Sequence, residues 1–203
     1  MERFIDLMEA LRTRRAIREF TTEPVGDDLI EELIAAAILA PSSVNLQPWR
    51  FAVVRGREQL QSLGVEAKSY AAAHLPADSP LHAHAVDPTF EIFHGAAALI
   101  VICAVNDEAQ SVEDCCLAGE NLMLAAHAGG VGTCWIGLSR LWLNDAKTKA
   151  ELGIPVAWHP VAPIILGHRR TLPRRRRARS PLSFGAGDTR ANPSEGQQRD
   201  TSG

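Results

Sequence analysis

Phe4, Ile5, Leu7, Met8 and Leu11 recur at helical spacing and predict a first helix over residues 2–13. Leu29, Ile30, Leu33, Ile34, Ala37 and Ile38 repeat the pattern. They predict a second helix, with Asp27 as its N-cap and Pro41 as its stop. Trp49 to Val54 reads as a strand and residues 57–67 as a helix. From Tyr70 to Pro88 the periodicity is weak, which predicts a loop or short helices and a candidate mobile cover over a site. Ala98 to Val105 (ALIVICAV) is continuously apolar between Gly95 and Asn106, the pattern of a central strand buried on both faces.

Ser111 to His127 is the longest helix candidate. Its second half, LAGENLMLAAHA, is apolar nearly all round, so its own domain or a partner subunit must cover every side. Gly129 and Gly130 terminate it. Gly132 to Gly137 (GTCWIG) predicts a short strand and turn, Asn144 to Leu152 a helix, and Val161 to Leu166 a further strand.

Composition adds boundaries to this picture. The chain has 203 residues, 46% apolar and 22% charged, enough for one domain with a sizeable core, expected over residues 1–182. Residues 183–203 are almost free of apolar side chains. Such a tail cannot repay its ordering entropy and is expected to be disordered. The net charge of −3 argues against nucleic acid as the main partner, although seven arginines fall between Arg169 and Arg179. Cys103, Cys115, Cys116 and Cys134 form no C-x-x-C pair and lie in apolar surroundings. With no secretory h-region in the N-terminal stretch, they read as reduced, buried thiols of a cytoplasmic protein. No apolar run reaches the length of a membrane span.

Three segments carry candidate chemistry. Arg14 and Arg15 follow the first helix directly, and guanidinium forks match phosphate oxygens; a solvated pair is the bland alternative. PSSVNLQPW (41–49) holds Ser42, Ser43, Asn45 and Gln47 between prolines. A capped turn requires one such residue, whereas four suit the carbonyl and N–H edge of a heterocycle or the hydroxyls of a sugar chain. GTCWIG is neither a phosphate loop nor a dinucleotide fingerprint, but Gly137 lets a ring approach the backbone, or else makes a tight turn. The His82/His84 pair has no supporting ligand and reads as surface histidines. No nucleophilic or acid–base constellation is visible. Any enzyme chemistry therefore falls to a cofactor.

The order RTRRAIREF, APSSVNLQPWRFAVV, DPTFEIFHGAAALIVICA, NLMLAAHAGGVGTCWIGL and LGIP…PVAPIILGH resembles the FMN-dependent nitroreductase family over residues 8–181. The resemblance implies an α+β fold with a central mixed, mostly antiparallel sheet flanked by helices, in an intertwined homodimer with FMN at the interface. It implies that Arg14, Arg15 and Ala16 hold the phosphate and ribityl end and reach the pyrimidine edge. Pro41, Ser42, Ser43, Asn45 and Gln47 then reach the flavin from the other subunit, and the backbone N–H groups of Ile136 and Gly137 approach N5 and O4. Arg177 and Arg179 fall on a late basic pair that closes over the phosphate. The all-apolar stretch of Asn121–Ala126 becomes the dimer core. Ala16 stands where relatives usually have serine, which implies weaker retention of FMN.

The activity implied is oxidoreduction in ping-pong fashion. NADH or NADPH gives hydride to flavin N5, and a small-molecule acceptor (a nitroaromatic, quinone or activated alkene) then takes it. Two alternatives remain at this point: an FMN storage or delivery protein without turnover, and an O2-dependent or dehalogenating flavoenzyme of the same family.

Overall fold

The computed structural model describes residues 6–171. Residues 2–5 of the expected first helix, the expected tail, and Arg177 and Arg179 lie outside the described residues. Seven helices follow in chain order among the described residues: α1 (Leu7–Thr13), α2 (Asp27–Ala37), α3 (Arg57–His74), α4 (Pro80–Val86), α5 (Ala109–Ala128), α6 (Arg140–Leu143) and α7 (Ala146–Glu151). Four strands accompany them: β1 (Trp49–Arg55), β2 (Ala98–Ala104), β3 (Val131–Trp135) and β4 (His159–His168). Short 3-10 turns occupy Ser43–Asn45 and Gly137–Ser139.

The strands form one sheet in the order β1-β2-β4-β3, and every pair is antiparallel. Parallel pairing enters only where Ala16 bridges Thr133, which lays the basic turn along the outer edge of β3. β2 is buried at all seven positions, as its unbroken apolar run requires. Ile100, Ile102, Ile164 and Leu166 face α2 and α5 on one side of the sheet; Leu99, Val101 and Ile165 face α3 and the α6 region on the other. The expected α+β arrangement, an antiparallel sheet flanked by helices, is therefore present.

Several boundaries differ from the sequence reading. Asp27 is the first residue of α2, and Gly26 takes the N-cap position without a side-chain bond. The Asp27 carboxylate pairs instead with Arg55 of β1, across the sheet edge. Ile38, expected in the buried stripe, is exposed beyond the helix end. α3 runs seven residues past the expected end, to His74, because its alanines lie flat against the core: Ala67 and Ala71 are buried. In the weakly periodic stretch, α4 is capped by Ser79. Lys68 of α3 then donates to the carbonyls of Asp87 and Phe90, tying the α4–β2 connection down. Leu122, Met123 and Ala126 of α5 are buried by their own chain, so the apolar half of that helix is core before any partner arrives.

Candidate functional site

The basic turn is held against the sheet by close backbone approach. Ile17 N–H donates to Thr133 O (2.9 Å), and a Cβ on Gly132 would meet Ile17 Cγ2 at 2.8 Å. Gly167 gives the same clearance to Phe20, whose ring lies 2.8 Å from where a Cβ would stand. Two glycines in adjacent strands thus let residues 16–20 run flush with β3 and β4. The side chains before them project from that fixed edge. Arg14 pairs with Glu120 of α5 (3.3 Å). Arg15 Nη1 donates to the carbonyls of Arg12 (2.8 Å) and Arg14 (2.7 Å), while its buried Nε has no acceptor among the described residues.

Beneath the turn lies His127 of α5, which is only 7% exposed. Its Nε2 is 2.8 Å from Thr13 Oγ1, and that hydroxyl donates its single proton to Glu9 O (2.6 Å). His127 Nε2 must therefore be the N–H donor, leaving Nδ1 to take any further proton. Burial pushes the imidazole below its ordinary value; the guanidiniums of Arg169, Arg14 and Arg15 push the same way, and Glu9 opposes them. Three cations whose charges bear on a buried histidine, with one buried guanidine N–H unspent, form a candidate anion cradle. Arg169 and His127 were not singled out from the sequence. In the sequence Arg169 is one of a run of arginines and His127 only the end of the longest helix candidate. Arg18, further along the same edge, lies close enough to Cys134 to oppose the rise in its pKa that burial causes.

The GTCWIG stretch runs along β3 and turns at Ile136 and Gly137, directly after the strand. Ile136 N–H is spent on Pro163 O (2.8 Å), so Gly137 is the member of the expected pair whose N–H has no recorded acceptor among the described residues. Ser139 Oγ donates to Ile136 O (2.9 Å) and sets the turn. A Cβ on Gly137 would meet nothing within 4 Å, so the turn is open on that side. Ala16, through its bridge to Thr133, sits beside this strand.

The second predicted cluster is elsewhere. In residues 42–47 the backbone is left-handed at Val44 (φ 42°), Asn45 (φ 59°) and Gln47 (φ 48°), none of them glycine. A β-branched residue in that region is strained. The segment is braced internally: Gln47 N–H donates to Ser42 Oγ (3.0 Å) and Gln47 Nε2 to Asn45 Oδ1 (2.9 Å). Ser43 N–H donates to both carboxylate oxygens of Asp114 (3.3 and 3.2 Å). Pro41 and Gln47 are exposed and Ser42 and Ser43 half-buried. Asp114 and His127 are about 20 Å apart along α5, at about 1.5 Å per residue. Within one chain Ser43 is therefore held well away from the His127 end of the basic turn, although Glu120, which pairs with Arg14, is only about 9 Å along the helix from Asp114.

A cavity of ≈ 610 Å³ lies between α3 and the Pro88–Ile92 connection, and none of the predicted site residues lines it. Burial pushes the Cys103 and Cys115 thiols up to about 12, which keeps them protonated and inert. Cys103, Cys115 and Cys134 are buried free thiols, as expected; Cys116 is half-buried. Among the described residues, no group of acids, histidines and cysteines is arranged to hold a metal ion, and no helix is long and apolar enough to cross a membrane.

A model of the nitroreductase family matches residues 11–168, spanning both clusters and the whole sheet. The chain belongs to the nitroreductase family. Two relatives carry the provisional name NADH dehydrogenase/NAD(P)H nitroreductase. That from Methanothermobacter thermautotrophicus is 33% identical over 167 residues, covering 81% of this chain and 78% of the relative. That from Archaeoglobus fulgidus is 32% identical over 155 residues, covering 74% and 78%. Among solved structures, a nitroreductase with bound FMN from Desulfitobacterium hafniense matches the fold with a TM-score of 0.76 at 24% identity, over 92% of this chain and all of that one (100%). A nitroreductase in complex with FMN from Desulfovibrio desulfuricans matches with a TM-score of 0.64 at 28% identity, over 88% and 93%. The nitroreductase fold thus accounts for the described residues.

Proposed function

We propose that this chain is an FMN-dependent NAD(P)H oxidoreductase that works as a homodimer. The observation that carries the reading is the set of cations at this turn: Arg14, Arg15 with its unspent buried Nε–H, and Arg169, whose charges all bear on the buried His127. FMN fits these residues. Its phosphate suits the guanidiniums and the unspent Arg15 Nε–H, and its ring suits the open side of Gly137. The chemistry FMN supplies when bound is two-electron exchange, from NADH or NADPH to an acceptor such as a nitroaromatic, a quinone or an activated alkene.

The residues of the chain then bind and orient. Arg14 exchanges Glu120 for a phosphate oxygen, and Arg15 adds its buried donor. Ala16 offers no hydroxyl, so roughly 1 kcal/mol of binding is forgone relative to a serine in that place. The Gly137 N–H would be a donor available to the ring of the bound cofactor. Ser42, Ser43, Asn45 and Gln47 reach the cofactor from a second copy; within their own chain Asp114 holds Ser43 about 20 Å along α5 from the His127 end of the cradle. Pro41 shapes the entry of that segment. Arg177 and Arg179 stay candidates for closing over the phosphate. Self-association is supported by Leu7, Leu11, Leu39, Val44, Leu46 and Leu117, large apolar side chains exposed on α5, on elements that pack against it, or just beyond the ends of those elements.

The test is the visible spectrum of the purified protein before and after anaerobic NADPH or NADH. Flavin bands that bleach are expected. Bands that persist with both donors would favour FMN storage or delivery. A colourless protein that takes up no added FMN would overturn the reading.

A further inference from the structure

We infer that Asp114 is a positioning residue for the Ser42–Gln47 segment, and that α5 thereby aligns both halves of the site from one rigid element. The inference rests on the reading of Ser42–Gln47 as a cofactor contact supplied to a second copy.

Three left-handed non-glycine residues in four positions do not hold their shape unaided. Val44 has no side-chain packing of its own to hold it there, being 87% exposed. The bonds within the segment, from Gln47 to Ser42 and Asn45, fix its internal shape but not its place on the protein. Asp114 supplies the place. Its carboxylate is 2% exposed and accepts the Ser43 N–H with both oxygens. Its other recorded partner is Gln110 Nε2, at a long 3.4 Å. Among the described residues no cation lies within ion-pair distance of it. A carboxylate buried with so few partners is an expensive group to keep in a helix that a neutral side chain would suit as well. What it does there is fix one amide, at the start of the strained turn.

The same helix carries Glu120, which holds Arg14, and His127, which holds Thr13. α5 is 20 residues long, straight through the core, and packs on β2, β3 and β4. The spacing between Asp114 and His127 along it is therefore set by helix geometry and not by loop conformation. Two copies docked through this region present each cradle with a segment whose position was measured out on the other copy's α5.

The experiment compares the apo forms of the wild-type protein, Asp114→Ala and Asp114→Asn, by amide hydrogen exchange, by thermal unfolding and by FMN affinity from flavin fluorescence quenching. In Asp114→Ala, exchange at residues 43–47 is expected to accelerate while Val131–Trp135 stays protected, and the FMN dissociation constant to rise about ten- to a hundredfold. Asp114→Asn keeps an oxygen to accept the Ser43 N–H and is expected to recover most of both. Unchanged exchange at residues 43–47 in Asp114→Ala overturns the inference. So does a loss that Asp114→Asn fails to recover and that spreads along the whole of α5, which marks a merely destabilised helix. If the wild-type protein binds no FMN, the proposed function fails instead, and the exchange measurement alone decides whether Asp114 positions the segment.

Discussion

The turn at Arg14–Ala16 and the segment at Ser42–Gln47 are both polar connections after a helix, yet they are held in opposite ways. The turn is clamped by its own chain. It bridges to β3, approaches two glycines closely, and has Thr13 and Arg14 pinned by α5. The segment is strained, largely exposed, and tied to the body of the protein through one amide on a buried carboxylate. On the proposed reading, the cofactor's anionic end has a preformed seat within one chain, and its ring end is left to an element whose conformation is prepared but whose surroundings a second copy completes. Preparing a seat in advance lowers the ordering cost of binding. Leaving the other contact to assembly couples binding to dimerisation.

Breaking the clamped half should have the largest effect. Gly132→Val puts a branched side chain where even a Cβ meets Ile17 at 2.8 Å, so the turn must leave the sheet edge. A loss of about 1–3 kcal/mol in urea unfolding is expected, with loss of FMN binding. Wild-type stability in this variant would refute the clamp. Arg15→Ala removes the unspent buried donor and one of the three charges. It should weaken FMN or inorganic phosphate binding about ten- to a hundredfold, with little change in the unfolding midpoint. An unaffected titration would mean that the cradle lies elsewhere.

pH sharpens the same contrast. His127 is held below its ordinary value of 6.5 in the folded protein, so the unfolded chain binds the proton more readily. The resulting stability is fully present above about pH 6.5 and is lost as pH falls toward the folded value. The apo protein should therefore melt at progressively lower temperature below pH 6.5, and His127→Gln should reduce that slope. Saturating phosphate should reduce it too, by neutralising the guanidiniums. His94, lowered by burial and by Arg18, supplies a remaining part of the slope that His127→Gln leaves in place. A wild-type slope in His127→Gln would show that the imidazole is not the group responsible.

The strained half gives the smallest effect on stability and the clearest sign. Val44→Asn places a residue that tolerates the left-handed region at φ 42°. A gain of about 0.5–1 kcal/mol in the isolated chain is expected, together with weaker self-association in sedimentation, because an exposed apolar side chain is lost. Stabilisation accompanied by tighter association would sink the assignment of Val44 to an interface.

Much of the fold was legible locally. The ALIVICAV run became a strand buried at every position from Ala98 to Ala104, with Val105 half-buried just beyond it, and the GTCWIG stretch became an edge strand and turn. The clusters at Arg14/Arg15 and Ser42–Gln47 were visible because several unusual side chains sit within a few positions. Asp27 failed as a cap because its carboxylate found Arg55, a partner on another element. α3 outran its expected end because buried alanines, which carry little periodic signal, hold its last turns against the core.

By itself the sequence determined the elements, since apolar periodicity is a local code that the backbone reads directly. It also determined which short stretches had polar groups to spare. Only the tertiary structure decided what those groups face. Arg169 and His127 join the Arg14/Arg15 turn, Glu120 restrains it, and Asp114 holds Ser43. Each of these pairings links residues far apart in the chain, set by sheet register and helix packing, and no spacing rule in the sequence carries them. The same holds for the separation of the two clusters. Asp114, which holds one segment, and His127, which lies under the other, are about 20 Å apart along a single helix, and on the proposed reading the two segments serve different copies of the site.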